Sequence, residues 1–344
     1  MSKPVIYFFT LIFKTTFAFG QEPNIASKID SIISAKTSKP FNGTILISQN
    51  GQVKYSKTFG YSNLKNKTPL KQDDQFVIGS ISKQFTAVLV LQEFEKGHLK
   101  LDIPIRNYLP ELTQSWADTI TIHQLLTHTH GIMQRDKPLA FEAGTQFAYS
   151  QIGYNLLATI IERTSKKSFA TLSTELFKKC KMQNTFNPDL HKHKNLVSGY
   201  TEGNVTEEKE SLQNYVAAGS FISTATDLTL WDENLFGGKL LKDEILKLME
   251  TKQKGATRKH PIFGLTDYGY GITIDKKEGV LQYGQTGFAP GFVSSNFYFP
   301  ESKTSFVILE NVAYDTDDLK KTFRYQTEIL KMLRESDLKN KSIR

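Results

Sequence analysis

Apolar residues recur at helical spacing early in the chain. Ile25, Ile29, Ile32 and Ile33 lay one apolar stripe along a helix over residues 26–38. The period then changes. Thr44-Ile-Leu-Ile-Ser48 and Val53-Lys-Tyr-Ser-Lys57 are β-rich runs separated by Gln49-Asn-Gly-Gln52. Asn50-Gly51 predicts a two-residue hairpin turn, because type I′ geometry needs positive φ at both central positions. β-rich runs return near the far end, over 268–274, 291–299 and 304–309, ahead of a terminal helix over 316–334. Between the two groups the pattern is helical, over 80–96, 121–127, 152–166, 225–236 and 242–251. Strands at both ends with helices between predict an α+β fold. One antiparallel sheet is assembled from both termini and flanked by helices, with a helical subdomain inserted over about residues 85–225.

The first twenty residues stand apart. Lys3 precedes an apolar run from Val5 to Phe13, and small Ala18 and Gly20 precede polar Gln21. That arrangement predicts a secretory signal peptide over residues 1–20, cleaved after Gly20. The run is shorter than the roughly 20 apolar residues a bilayer span needs. The mature chain is then expected to be exported, periplasmic or secreted. No cysteine lies near the cut to carry a lipid.

Composition narrows the chemistry. With 344 residues, 39% of them hydrophobic, the chain can bury a large core. Cys180 is the single cysteine, so no intrachain disulfide staples the fold. The formal charge of +8 is dispersed, with no basic stripe interleaved with aromatics. This speaks against nucleic-acid binding and leaves weak cell-envelope association open.

Ser-x-x-Lys occurs at Ser62/Lys65, Ser80/Lys83 and Ser336/Lys339, so context has to choose. Only Ser80 stands between an apolar lead-in, Phe76-Val-Ile-Gly79, and a long helix that is apolar on nearly every face from Phe85 to Leu91. At a helix start, free N–H groups favour a developing anion. Lys83 lies three residues on and shares a face with Ser80. Burial would make that lysine a proton acceptor. The same pattern also fits Ser80 as a helix cap with Lys83 at the surface. Two later segments add chemistry. Tyr149 and Gln151 sit just before a helix. Gln285-Thr286-Gly287, inside the run Tyr283-Gly-Gln-Thr-Gly-Phe-Ala-Pro-Gly-Phe292, has glycines that permit close backbone approach. His128 and His130, with His123, have the spacing of a possible zinc site but no carboxylate or cysteine to complete it, so no metal is expected.

In this order, the three elements resemble the serine β-lactamase and penicillin-binding-protein superfamily, and within it the class C β-lactamase-related branch of D-Ala-D-Ala carboxypeptidases, D-aminopeptidases and esterases. Supporting phrases are Leu99-Lys-Leu-Asp-Ile-Pro104, Ile122-His-Gln-Leu-Leu-Thr-His-Thr-His-Gly131, Gly219-Ser-Phe-Ile-Ser-Thr-Ala-Thr-Asp227 and Tyr268-Gly-Tyr-Gly271. The resemblance implies a β-lactamase/transpeptidase-like catalytic domain over 21–344. It implies Ser80 as acylated nucleophile, with Lys83 and Tyr149 handling its proton. It also implies an oxyanion hole from the backbone N–H groups of Ser80 and Phe288, a substrate-binding strand at Gln285, Thr286 and Gly287, and no cofactor. The partner would be a small-molecule or peptide substrate. Gln151 replaces the family's usual Asn, and Gln285 replaces a Lys or His. These two replacements motivate a second expectation, a catalytically weak or inactive relative that binds a cell-envelope peptide.

Overall fold

The computed structural model describes residues 24–188, 195–202, 204–205 and 215–336. The expected signal peptide lies outside the described residues. Among them, the centre is an eight-stranded antiparallel sheet. Its strands are β1 (Gly43–Gln49), β2 (Gln52–Phe59), β3 (Thr257–His260), β4 (Gly264–Tyr268), β5 (Thr273–Lys277), β6 (Val280–Ala289), β7 (Phe292–Phe299) and β8 (Thr304–Glu310). The spatial order is β2-β1-β8-β7-β6-β5-β4-β3. Both ends of the chain therefore build one sheet, joined where β1 pairs with β8 and Ile45 faces Ile308. Asn50 and Gly51 turn the first hairpin with φ of 52° and 75°, the two positive values the turn needs.

The helices are α1 (Ile25–Ile33), α2 (Ser82–Glu95), α3 (Ile122–Leu126), α4 (Gln151–Ser165), α5 (Phe169–Lys179), α6 (Ala225–Leu235), α7 (Asp243–Met249) and α8 (Arg324–Glu335). β1 is buried along its whole length because both sheet faces are covered. Ile45 and Ile47 point into the core under α1 and α8, with Ile29, Ile33, Ile329 and Leu333. Leu46 points the other way, into the larger core that contains α2, α4 and α6. In that core Phe85 of α2 meets Phe177, Phe221 and Trp231 edge-on. α2 buries every residue from Ser82 to Leu91, so its lack of a polar face is the signature of a central helix.

Several boundaries differ from the expectation. Residues 268–274 are not one strand. Tyr268 ends β4, and Gly271 at φ 75° helps turn the chain back into β5. The first helix stops at Ile33, after its last buried isoleucine. The terminal helix is broken at Phe323, leaving a short turn over Leu319–Thr322 before α8. α5 and β3 were not expected. α5 did carry a signal, an N-capping Ser168 followed by Phe169, Leu172, Leu176 and Phe177 at helical spacing.

Candidate active site

The chain reaches Ser80 through a short strand. Phe76–Val77 pairs antiparallel with Ile222–Ser223, and the Ile78 N–H donates to the Phe221 carbonyl at 3.0 Å. Ser80 lies in a tight 3₁₀ turn, Gly79–Ile81, immediately before α2, which starts at Ser82. Neither the turn nor α2 has a side-chain cap, so Ser80 is not used as one. It is partly exposed.

β6 runs hard against this turn. Gly79 has φ 53°, and a Cβ there would sit 2.5 Å from the Phe288 backbone nitrogen. A Cβ on Gly287 would sit 2.1 Å from the Ile78 carbonyl oxygen and 2.3 Å from Ser294 Oγ. Only glycine fits at either position. The Ser294 hydroxyl fastens the approach by donating to the Ile78 carbonyl at 2.8 Å. The Ser80 turn and the Phe288 N–H are thus brought to one place. Phe288 keeps its side chain outside, 40% exposed.

Lys83 is fully buried one turn into α2. Its Nζ donates to Ser80 Oγ at 3.2 Å and to the Ala218 carbonyl at 2.5 Å. Ala218 belongs to a wide helical turn, Val216–Ser220, that packs on α2 and also accepts a hydrogen bond from Thr86 at Ala217. Burial holds Lys83 below the ordinary lysine pKa. Tyr149 opposes that shift and Arg258 adds to it. The Tyr149 ring centre lies 4.7 Å from Lys83 Nζ, so the phenol and the amine share one buried pocket beside Ser80. Burial alone would raise the phenol's pKa, but the charges of Lys83 and Arg258, with the polar groups of Lys83 and Ser80 beside it, outweigh burial and bring it down.

The histidine segment holds Tyr149 in place. His128 is left-handed at φ 58° and fully buried, with its ring 4.4 Å from Tyr149 and 5.3 Å from Tyr268. Its carbonyl accepts from Ala148 N–H at 2.9 Å and its Nδ1 from Ser150 N–H at 3.3 Å. Burial keeps His128 neutral and lowers His130 to about 4. His123 Nδ1 pairs with the Tyr270 hydroxyl at 2.7 Å. Among the described residues, no group of three or more His, Cys, Asp or Glu side chains is placed to hold a metal ion.

Gln285 is fully buried, and its surroundings were not legible in the sequence. Its amide donates to the Tyr268 hydroxyl at 3.0 Å and accepts from Thr273 and from Arg258 Nη1, both at 3.4 Å. Arg258, on the unexpected strand β3, stacks over Tyr149 with its guanidinium carbon 4.5 Å from the ring centre. The neutral amide on β6 is therefore accompanied by a cation from β3. Thr286 touches His260 Nε2 at 3.4 Å. His260 stays neutral, lowered to about 2 by burial and by Arg258 and Lys277. Gln151 is the exception: it is exposed at the start of α4 and makes no hydrogen bond to Lys83. The other expected residues converge around Ser80. Arg258 and His128 are the neighbours that motif reading did not single out for this site.

Comparison with known proteins fixes the class to which this arrangement belongs. The chain belongs to the beta-lactamase family, whose sequence model matches residues 38–331. That places its chemistry in serine acyl transfer and hydrolysis. Penicillin-binding protein 4* of Bacillus subtilis (strain 168) is 26% identical over 339 residues, which cover 85% of this chain and 71% of that protein. The beta-lactamase of Escherichia coli (strain K12) is 30% identical over 196 residues, or 52% of each chain. Among solved structures, the octameric penicillin-binding protein homologue from Pyrococcus abyssi superimposes with a TM-score of 0.69 at 26% identity, covering 79% of this chain and 70% of that one. D-amino acid amidase from Ochrobactrum anthropi SV3 has the same fold, with a TM-score of 0.77 at 20% identity over 90% of this chain and 99% of that one.

Proposed function

We propose that the protein is an exported serine hydrolase that works through an acyl-enzyme on an ester or amide. The observation that carries this reading is the buried Lys83 amine, 3.2 Å from Ser80 Oγ and 4.7 Å from the centre of the Tyr149 ring. Ser80 Oγ attacks the carbonyl carbon and its proton passes to the Lys83–Tyr149 pair. The carbonyl oxygen gathers charge facing the N–H groups of Ser80 and Phe288. The tetrahedral species collapses, the leaving group takes the proton, and the acyl group stays on Ser80 until water removes it. Gln285, Thr286 and Gly287 form the strand edge along which substrate lies. Substrates in scope are small esters, D-amino-acid amides and peptides, and β-lactams. The structures of a D-amino acid amidase and a penicillin-binding protein homologue support that range by likeness.

A second reading, a weak or inactive peptide-binding relative, draws on the neutral Gln285 and the exposed Gln151. Arg258 beside Tyr149 speaks against it, since the site keeps a cation. The test is hydrolysis of p-nitrophenyl acetate, a D-phenylalanine amide, a D-Ala-D-Ala peptide and a chromogenic cephalosporin by the wild type and by Ser80→Ala. Turnover of at least one substrate, lost in the variant, is expected. Equal rates in both proteins would exclude catalysis at Ser80. Export is tested by the mass of the secreted N-terminus, expected to begin at Gln21.

A further inference from the structure

Arg258 belongs to none of the motifs, and the sheet's edge strand carries it into the site. Its side chain is 9% exposed. It makes one long hydrogen bond, to Gln285, and one ring contact, to Tyr149, and has no carboxylate within salt-bridge distance among the described residues. A guanidinium so enclosed is costly without an anion nearby. The groups around Tyr149 come from every packed element: Ser80 and Lys83 from the nucleophile turn and α2, His128 from the loop after α3, Tyr154 from α4, Tyr268 from β4 and Arg258 from β3. Two of them are cations, His128 is neutral, and none is a carboxylate. The group that can become the missing anion is Tyr149 itself.

We propose that Arg258 is a positioning residue for the reaction: it supplies from β3 the positive charge that Gln285 cannot supply from β6, and so leaves the Lys83–Tyr149 pair one proton short and ready to accept the proton of Ser80. This rests on the acyl-enzyme reading above. The sign follows from the charges. A fixed cation beside the pair repels a proton whether lysine or phenol would hold it, so removing the cation raises the pH at which the pair becomes a base. Lysine at 258 keeps the charge but not the flat guanidinium that stacks on the ring, so it restores part of the effect.

The first experiment needs no substrate. Tyrosine labelled with ¹³C at Cζ reports ionisation by NMR, and Tyr149→Phe assigns the resonance. In Arg258→Gln the Tyr149 midpoint is expected to rise by about 1–3 pH units, the usual effect of an adjacent opposite charge. Arg258→Lys should fall between Arg258→Gln and the wild type. It also serves as the test variant should Arg258→Gln not fold, which thermal melting will show. An unchanged midpoint overturns the proposal, as does a wild-type Tyr149 that titrates near the ordinary tyrosine value of about 10. The second experiment is the pH profile of neutral-ester hydrolysis. Its acid limb should move up by the same interval, with kcat reduced and KM nearly unchanged. A loss confined to KM for carboxylate-bearing substrates overturns the proposal and makes Arg258 a substrate contact instead. If Tyr149 shifts but Ser80 never acylates, the acyl-enzyme reading fails while the link between Arg258 and Tyr149 stands.

Discussion

Gly287→Ala is the sharpest perturbation of the proposed oxyanion site, because it adds one methyl group and removes no functional atom. The new Cβ would lie 2.1 Å from the Ile78 carbonyl oxygen and 2.3 Å from Ser294 Oγ. An ordinary contact is about 3.5 Å, so β6 has to retreat by more than about 1 Å from the nucleophile turn. Phe288 follows Gly287 directly, and its N–H retreats with the strand. An oxyanion donor works only within a few tenths of an ångström of its place, and losing one costs about 10²–10³ in rate. Overpacking itself destabilises by about 1–3 kcal/mol, which a protein with so large a core survives. The assay pairs a stopped-flow acylation rate with a thermal melt. The expected result is a folded protein, melting a few degrees lower, that acylates about a hundredfold or more slowly. Phe288→Ala is the control: it trims an exposed ring and keeps the N–H, so it should retain most of the rate. A Gly287→Ala variant that folds and acylates at the wild-type rate refutes the assignment of the Phe288 N–H to the oxyanion.

Three further outcomes are expected. Lys83→Met replaces a buried cation by an apolar chain of similar length. Acylation should fall by about 10²–10⁴ while the melting temperature holds or rises, measured by probe labelling and calorimetry. Glu310 is buried against Gln326, and burial raises its pKa to about 8, against the opposing effects of Gln326 and Arg324. The folded state thus binds a proton that the unfolded chain releases near the ordinary glutamate value. Its stabilisation is complete below that value and is lost as pH rises to about 8. Glu310→Gln should flatten the fall in stability across that interval, as read by urea unfolding at a series of pH values. Cys180 is buried and burial pushes its thiol up to about 12, so iodoacetamide should leave the native protein unmodified and alkylate it quickly in denaturant.

Much of the fold was legible because two periods carry it. The β-rich runs at 44–57 and the Asn50-Gly51 turn are local signals, and the hairpin follows them closely. Helices with strong stripes or caps appeared where expected, as at Thr121 before α3 and Thr224 before α6. The glycines at 284, 287 and 291 signalled a close backbone approach around β6, but not that the partner is the Gly79–Ile81 turn, since a glycine does not reveal what presses against it. Residues 268–274 misled because their β-formers lie on both sides of a glycine turn. Arg258 was hidden for a different reason. Its strand has only four residues, and its role depends on a side chain crossing the sheet toward Gln285 and Tyr149. That is a tertiary fact with no local period. The replacement at 285 was visible and suggested a missing cation; the cation that accompanies it was not.

The most direct measurement is the intact mass of the protein after exposure to a fluorophosphonate probe, followed by peptide mapping, with Ser80→Ala alongside. One adduct per chain, mapped to Ser80 and absent in the variant, is the expected result. A folded wild-type protein that takes no adduct, or takes it equally well without Ser80, contradicts the assignment of Ser80 as an activated nucleophile.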